Sequence, residues 1–318
     1  MTYRFAITAV LACTLAAATV AVAQTAPTTR PGGRGMAARG PMQRAPQSVD
    51  PRDALPYTPG DFSKCDPKLP TLVIAGDSTA DKGPDAWHRG WAAPLIDYFD
   101  TSKINVVNRA RGGRSFRTFV HEGLWDQLVS NLKPGDIVMI QFGWNDGGDI
   151  NSPNSKDRPD LPGLGDETQE VTRSDGTKET VHTFGWYTRK FVNDVRAKGA
   201  TPYLMTTTPA SVWKDGKIDR KLSSVNQWTR EVAAAEKVPL IDHTDAIDDE
   251  LDKLGQDKVK TFHPADFLHT ATPGAIVNAE AFVAAVKGMD IKPLVDDLTA
   301  RGQAIPAWTA PATEPAAH

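Results

Sequence analysis

The chain has 318 residues, 40% of them hydrophobic and 24% charged, which is enough apolar material for one sizeable core. Its formal net charge of −3 leaves no global basic field to attract a nucleic-acid partner. Of its two cysteines, Cys13 and Cys65, the first falls in an export-type leader, so Cys65 has no internal disulfide partner.

That leader spans residues 1–23. Arg4 supplies the positive end, an apolar stretch runs from Phe5 to Val22, and Ala21-Val22-Ala23 is a small-x-small cleavage pattern. The stretch is rich in Ala and Thr and too weakly hydrophobic for a membrane anchor, and the apolar run before Val10-Leu11-Ala12-Cys13 is short for a lipoprotein site. Cleavage after Ala23, a secreted or periplasmic product and no lasting membrane partner are expected. Residues 24–60 are rich in Pro, Gly, Ala and Arg, with Arg30, Arg34, Arg39 and Arg44 preceding the first acid at Asp50. Such a segment cannot bury enough apolar surface to offset its chain entropy and reads as a flexible tether. Residues 303–318 read as a loose tail.

Between them, residues 61–302 read as one catalytic-type domain. Short continuous apolar runs occur at Leu72–Ala75, Ile104–Val107, Ile137–Ile140, Tyr203–Met205 and Val238–Ile241. Continuous rather than alternating apolarity predicts strands covered on both faces. Helical stripes separate the later ones: Phe184, Tyr187, Phe191 and Val195; Leu222, Val225, Trp228 and Val232; Ile276, Ala279, Val283 and Val286. Thr272-Pro273 opens the last helix as cap and first-turn proline. The alternation predicts an α/β protein, a three-layer α/β/α sandwich on a flavodoxin-like parallel sheet of about five strands. The stretch 147–182 interrupts it. Glu170–Arg173 and Lys178–Val181 flank Ser174-Asp175-Gly176-Thr177 as a hairpin, expected as a flap beside the site rather than a second domain.

Ligands of an open parallel sheet bind beyond the carboxyl ends of its strands. After the first run comes Gly76-Asp77-Ser78; after the second, Asn108 to Ser115; after the third, Phe142-Gly143-Trp144-Asn145-Asp146; past the fifth, Asp266-Phe267-Leu268-His269. A serine hydroxyl needs a base to become a nucleophile. Of the seven histidines, His269 shares its loop with an acid three residues away, close enough for Asp266 to hold one ring nitrogen and leave the other for Ser78. His243, beside Asp242 and Asp245, is the competitor, and His263 shares the His269 loop. The N–H groups of Ser78 and Gly113 and the side chain of Asn145 are the candidate oxyanion donors. Gly112-Gly113 as a plain tight turn and Asn145 as a loop cap remain open alternatives. Neither a Gly-x-Ser-x-Gly elbow, a phosphate loop, His-Glu-x-x-His nor Cys-x-x-Cys occurs, so no cofactor or metal is expected.

Together the four blocks resemble the SGNH (GDSL-type) hydrolase superfamily, and within it the rhamnogalacturonan acetylesterase group. Asn108-Arg109-Ala110, Thr183-Phe184-Gly185-Trp186-Tyr187 and Lys198-Gly199-Ala200-Thr201-Pro202 are similar to that group in particular. The likeness runs from about Thr71 to Met289. It implies Ser78, Asp266 and His269 as the catalytic set, an oxyanion hole of Ser78, Gly113 and Asn145, and removal of acetyl groups from pectic polysaccharide by a secreted, monomeric enzyme. Trp144 departs from the pattern, which often has His there; its ring is expected to stack on a sugar or to pack internally. Arg114 or Arg117 is expected to meet uronate carboxylates, with an internal ion pair as the alternative. Competing readings are an acetylesterase of xylan or another glycan, a lipase or thioesterase, and a non-catalytic carbohydrate-binding protein on the same fold.

Overall fold

A computed structural model of the chain describes residues 57–220 and 223–310. The expected leader, most of the tether, Leu222 and the end of the tail lie outside the described residues.

Five strands form one parallel sheet: β1 (Thr71–Gly76), β2 (Asn105–Asn108), β3 (Ile137–Gln141), β6 (Thr201–Met205) and β9 (Leu240–Ile241), in the order β2-β1-β3-β6-β9. Each overlaps a predicted apolar run. β1 shows why continuous apolarity was the right signal. Its Leu72 and Ile74 enter one hydrophobic cluster while Val73 and Ala75 enter another on the opposite face. The first cluster includes Ile247 and Leu251 of α5 (His243–Leu254) and Phe282 of α7 (Thr272–Gly288). The second includes Phe116 of α1 (Phe116–His121), Trp125 of α2 (Leu124–Ser130), Phe191 of α3 (Phe184–Ala197) and Val232 of α4 (Ser224–Ala235). Helices therefore cover both faces, as a three-layer sandwich requires. The chain leaves β1 for β2 on one side and returns to β3 on the other. The ends of β1 and β3 thus form the switch point, where this topology opens a crevice.

The stripe expected for α3 is buried in full. In α4 the buried face is Asn226, Thr229, Val232 and Ala233, with Val225 and Trp228 on its flanks. α7 is buried around most of its circumference, and Ala271 rather than Thr272 takes its cap position. The hairpin is β4 (Thr168–Thr172) against β5 (Lys178–His182), closed by Gly176 at φ +85°. Val171 and Val181 form a small core with Ile150 and Leu161. Two short strands, β7 (Trp213–Lys214) and β8 (Lys217–Ile218), and two short helices, α6 (Gln256–Lys260) and α8 (Ala300–Ala304), complete the described elements. None of the described helices is long and apolar enough to cross a membrane.

Both ends of the domain extend beyond their expected limits. Thr58 is buried and donates its N–H to the Ala93 carbonyl at 2.8 Å, so residues 57–60 belong to the fold and not to the tether. The tail begins packed: Gln303 and Ala304 complete α8, Trp308 N–H reaches the Ala284 carbonyl at 2.9 Å, and its indole N–H reaches Asp249 at 2.8 Å. The Trp308 ring packs against the core beside α7, an apolar gain that a composition argument about Ala and Pro overlooks.

Candidate active site

β1 ends at Gly76, and the buried Asp77 turns the chain at once. Its Oδ1 accepts both the N–H and the hydroxyl of Thr79 at 2.8 Å, and its carbonyl accepts the Asp81 N–H at 3.0 Å. Ser78 sits half-buried on this turn, just above the sheet. The turn is tied to the end of β2, where the Asn108 side-chain amide donates to the Ala80 carbonyl at 2.9 Å.

The glycine block follows. Gly112 N–H donates to Asp81 Oδ2 at 3.0 Å, and Arg114 N–H to the Arg111 carbonyl at 3.3 Å. Gly113 sits inside that turn at φ +77°, which a side chain would strain, and a Cβ there would lie 2.6 Å from Arg158 Nη2. Ser115 then caps α1. The asparagine block leaves β3 through Gly143, at φ +148°, where any Cβ would collide with Val225 and Thr207.

Asn145 is held at both ends of its amide. Nδ2 donates to the Arg114 carbonyl at 3.0 Å, and Oδ1 accepts from Arg158 Nη1 at 3.2 Å. An amide nitrogen carries two hydrogens, so one N–H remains available. The N–H groups of Ser78 and Gly113 donate to no described residue.

The last block closes the set. Asp266 Oδ1 accepts the N–H groups of Leu268 and His269 at 2.8 and 2.7 Å. Its Oδ2 lies 2.8 Å from His269 Nδ1, and His269 Nε2 lies 2.9 Å from Ser78 Oγ. Burial pushes the Asp266 carboxyl up, but the hydrogen bonds from the His269 ring, its N–H and that of Leu268 outweigh it and hold it well below the usual carboxylate range. An ionised carboxylate only accepts, so Nδ1 carries the ring proton and Nε2 is left to accept from Ser78. This arrangement can draw the proton from a serine hydroxyl. Mutual bonds between Arg89 and Thr270, both at 2.7 Å, anchor the loop.

His243, the competitor, lies elsewhere. It is fully buried, accepts from Gln141 Nε2 at Nδ1 (3.0 Å) and donates from Nε2 to the Asn278 carbonyl at 2.9 Å. Burial pushes its pKa down to about 4. The unfolded chain takes up a proton near pH 6.5 that the folded chain refuses until about pH 4. Stability from this group is therefore complete above pH 6.5 and is lost as pH falls, by about 3 kcal/mol across the window. A His243→Gln chain is expected to show a shallower fall of unfolding free energy between those limits; equal slopes by denaturant titration would contradict this.

Of the two expected uronate residues, Arg117 is corrected, and Arg114 takes the ion-pair alternative. Arg117 has a fully buried side chain, paired with Glu179 of β5 at 2.6 Å and bonded to the Pro159 carbonyl at 3.1 Å. It fastens the hairpin to α1. Arg114, about a third exposed, pairs with Glu122 at 2.9 Å and donates to the Gly112 carbonyl at 2.9 Å. The cation that does reach the site is Arg158, which the sequence reading missed. It lies in the aperiodic stretch before the hairpin, and no local pattern marks it. Arg158 makes no ion pair with any described residue, and burial together with the nearby Arg114 pushes its pKa down. Trp144 is 37% exposed, its indole N–H fixed on the Thr208 carbonyl at 2.8 Å. His88, also missed, places its ring 5.4 Å from that of His269 and bonds Asp85 at 2.9 Å. Among the described residues, His88, Asp266 and His269 bring metal-ligand atoms within 4.8 Å of one another. Asp266 and His269 already bond each other, and His269 bonds Ser78, so an ion there would displace those contacts.

A serine, an oriented imidazole and N–H donors meet at the switch point of a parallel sheet, an arrangement able to support nucleophilic ester hydrolysis. The chain belongs to the GDSL-like lipase/acylhydrolase family, which it matches over residues 74–271. It is a carboxylic-ester hydrolase. It is 35% identical over 217 residues to a rhamnogalacturonan acetylesterase of Emericella nidulans, covering 68% of this chain and 84% of that one. It is 26% identical over 232 residues to a probable rhamnogalacturonan acetylesterase, YesY, of Bacillus subtilis, covering 71% and 96%. The fold is similar to the crystal structure of Bacillus subtilis YxiM, with a TM-score of 0.57 at 23% identity over 70% of this chain and 58% of that one.

Proposed function

We propose that this hydrolase removes acetyl groups from a uronate-containing polysaccharide of the rhamnogalacturonan type. The observation that carries the reading is the 35% identity, over most of its length, to the Emericella nidulans acetylesterase. In this reading Ser78 gives its proton to His269 Nε2 and attacks the acetyl carbonyl. The oxyanion is met by the N–H groups of Ser78 and Gly113 and by the free N–H of Asn145. His269 then protonates the departing sugar hydroxyl, and a water activated by the same nitrogen releases acetate from Ser78. Asn145→Ala is expected to lower kcat by about 10²- to 10³-fold, as loss of one such donor does. A loss below tenfold in steady-state kinetics would remove Asn145 from this role.

Arg158 supports an anionic substrate. An unpaired guanidinium beside the glycine block suits a carboxylate, which Arg binds through two parallel N–H groups. Export through the residue 1–23 leader is part of the proposal, since it would bring the enzyme to a polymer outside the cell.

The test is acetate release from acetylated rhamnogalacturonan, acetylated xylan and p-nitrophenyl acetate, measured side by side. Fastest release from rhamnogalacturonan is expected. Preference for xylan would move the substrate to a neutral glycan, and release from the p-nitrophenyl ester alone would remove the polysaccharide reading.

A further inference from the structure

A cavity of about 350 Å³ opens between Gly143 and Trp144 of the asparagine block and Thr244, Asp245 and Asp248 of α5. Trp144, Pro209 and Val212 give it apolar walls, and Asp219, Asp245 and Asp248 give it acids. Two observations place it on the site's own rim. Trp144 adjoins Asn145 in the chain, and Ser211, between the lining residues Ala210 and Val212, donates its N–H to the Phe267 carbonyl of the His269 loop at 2.7 Å.

Asp248 sets its polarity. Asp248 is 1% exposed, yet its carboxyl makes no hydrogen bond with any described residue, and Oδ1 is fully enclosed. A buried polar group without a protein partner costs about 1–3 kcal/mol, so this carboxyl gains from any hydroxyl brought within hydrogen-bonding distance. Burial pushes this carboxyl up to about 7, so near neutrality it can donate as well as accept. Among the described residues Arg220 is the one cation lining the cavity, and it is engaged by Asp249 at 2.7 Å and Asp252 at 3.0 Å. Trp144, whose indole N–H is held by the Thr208 carbonyl, lines this cavity and is 37% exposed.

We propose that this cavity is a subsite for an uncharged sugar residue of the polysaccharide, with Trp144 under the C–H face of the ring and Asp248 on one of its hydroxyls. The inference rests on the polysaccharide reading above and adds a direction to it. Surplus acid repels a uronate from the Trp144 side, while Arg158 attracts one toward the Gly113 side. A substrate bearing both kinds of sugar would lie across Ser78 in one orientation only.

The test is calorimetric binding to the full Ser78→Ala chain, which holds an ester without cleaving it. The probes are an acetylated xylooligosaccharide and a galacturonate oligosaccharide. The neutral probe is expected to bind, and Asp248→Leu or Trp144→Ala added to this background to weaken it about tenfold, the worth of one net hydrogen bond or ring contact. Asp248→Leu replaces an unpaired carboxyl by an apolar group, so its thermal midpoint is expected to stay level or rise, which separates lost binding from lost fold. Unchanged affinity in both variants, tighter binding of the galacturonate probe with the same sensitivity to them, or binding of neither probe would overturn the subsite. Failure of the polysaccharide reading shows separately, in the hydrolysis panel of the unaltered chain.

Discussion

His269→Ala is expected to lower kcat for ester hydrolysis by about 10⁴- to 10⁶-fold, the range seen when the base of a serine triad is removed. The size follows from the geometry. Among the described residues Ser78 Oγ has one basic partner at hydrogen-bonding distance, His269 Nε2 at 2.9 Å. Without it the hydroxyl must lose its proton to water, and the leaving alcohol has no acid to protonate it. The side chain is partly exposed and fills no core position, so the fold is expected to survive. His243→Gln is the matched comparison. That ring touches Gln141, Asn278 and Trp91 in the interior, so its loss is expected to appear in stability rather than in the chemical step. Activity that survived His269→Ala and vanished in a folded His243→Gln chain would exchange their roles.

Asp266→Asn is expected to cost about 10⁴-fold in kcat with little change of structure, as the same substitution does in serine proteases. The cause is a tautomer. Oδ1 accepts two backbone N–H groups, so the amide oxygen of an asparagine must take that place. Its NH₂ then falls where Oδ2 stood, 2.8 Å from His269 Nδ1. Two donors cannot face each other, so the ring proton moves to Nε2 and points at Ser78, which loses its acceptor. The pH profile offers a check. The Asp266 carboxyl lies well below the ordinary range, so it stays ionised throughout the working range. Loss of activity on the acid side is therefore not protonation of Asp266. A loss of less than about tenfold in Asp266→Asn would show that the carboxylate does not set the tautomer.

The four blocks were legible because each is a short turn fixed to a strand end. Apolar runs mark the strands, and a parallel sheet brings their carboxyl ends to one rim. Asp266 and His269 could be paired from a spacing of three residues because the contact is local. Contacts made across the fold were not legible. His243 looked competitive beside Asp242 and Asp245, yet Gln141 and Asn278 capture it, and neither is near in sequence. Arg114 and Arg117 adjoin the glycine block in the chain, but Glu122 and Glu179 hold them. Arg158 lies 45 residues beyond Gly113 in a stretch without periodicity, and only the folded chain lays its guanidinium over that glycine. Trp308 was hidden by the Ala- and Pro-rich composition around it.

The hairpin was visible as a turn but not as an attachment. Its link to the site runs through buried side chains. Glu179 holds Arg117, and Asp160, whose N–H donates to the Asp146 carbonyl at 2.9 Å, sits beneath the asparagine block. Burial pushes the carboxyls of Asp146 and Asp160 up, and two such groups in contact share a proton more readily than both ionise.

The central claim is that Ser78 carries the acetyl group from substrate to water. The most direct test is acetate release from acetylated rhamnogalacturonan by the unaltered chain and by Ser78→Ala, with folding of the variant checked by its thermal midpoint. Release by the unaltered chain and none above the uncatalysed rate from a folded Ser78→Ala chain is the predicted result. Equal release from both would contradict it.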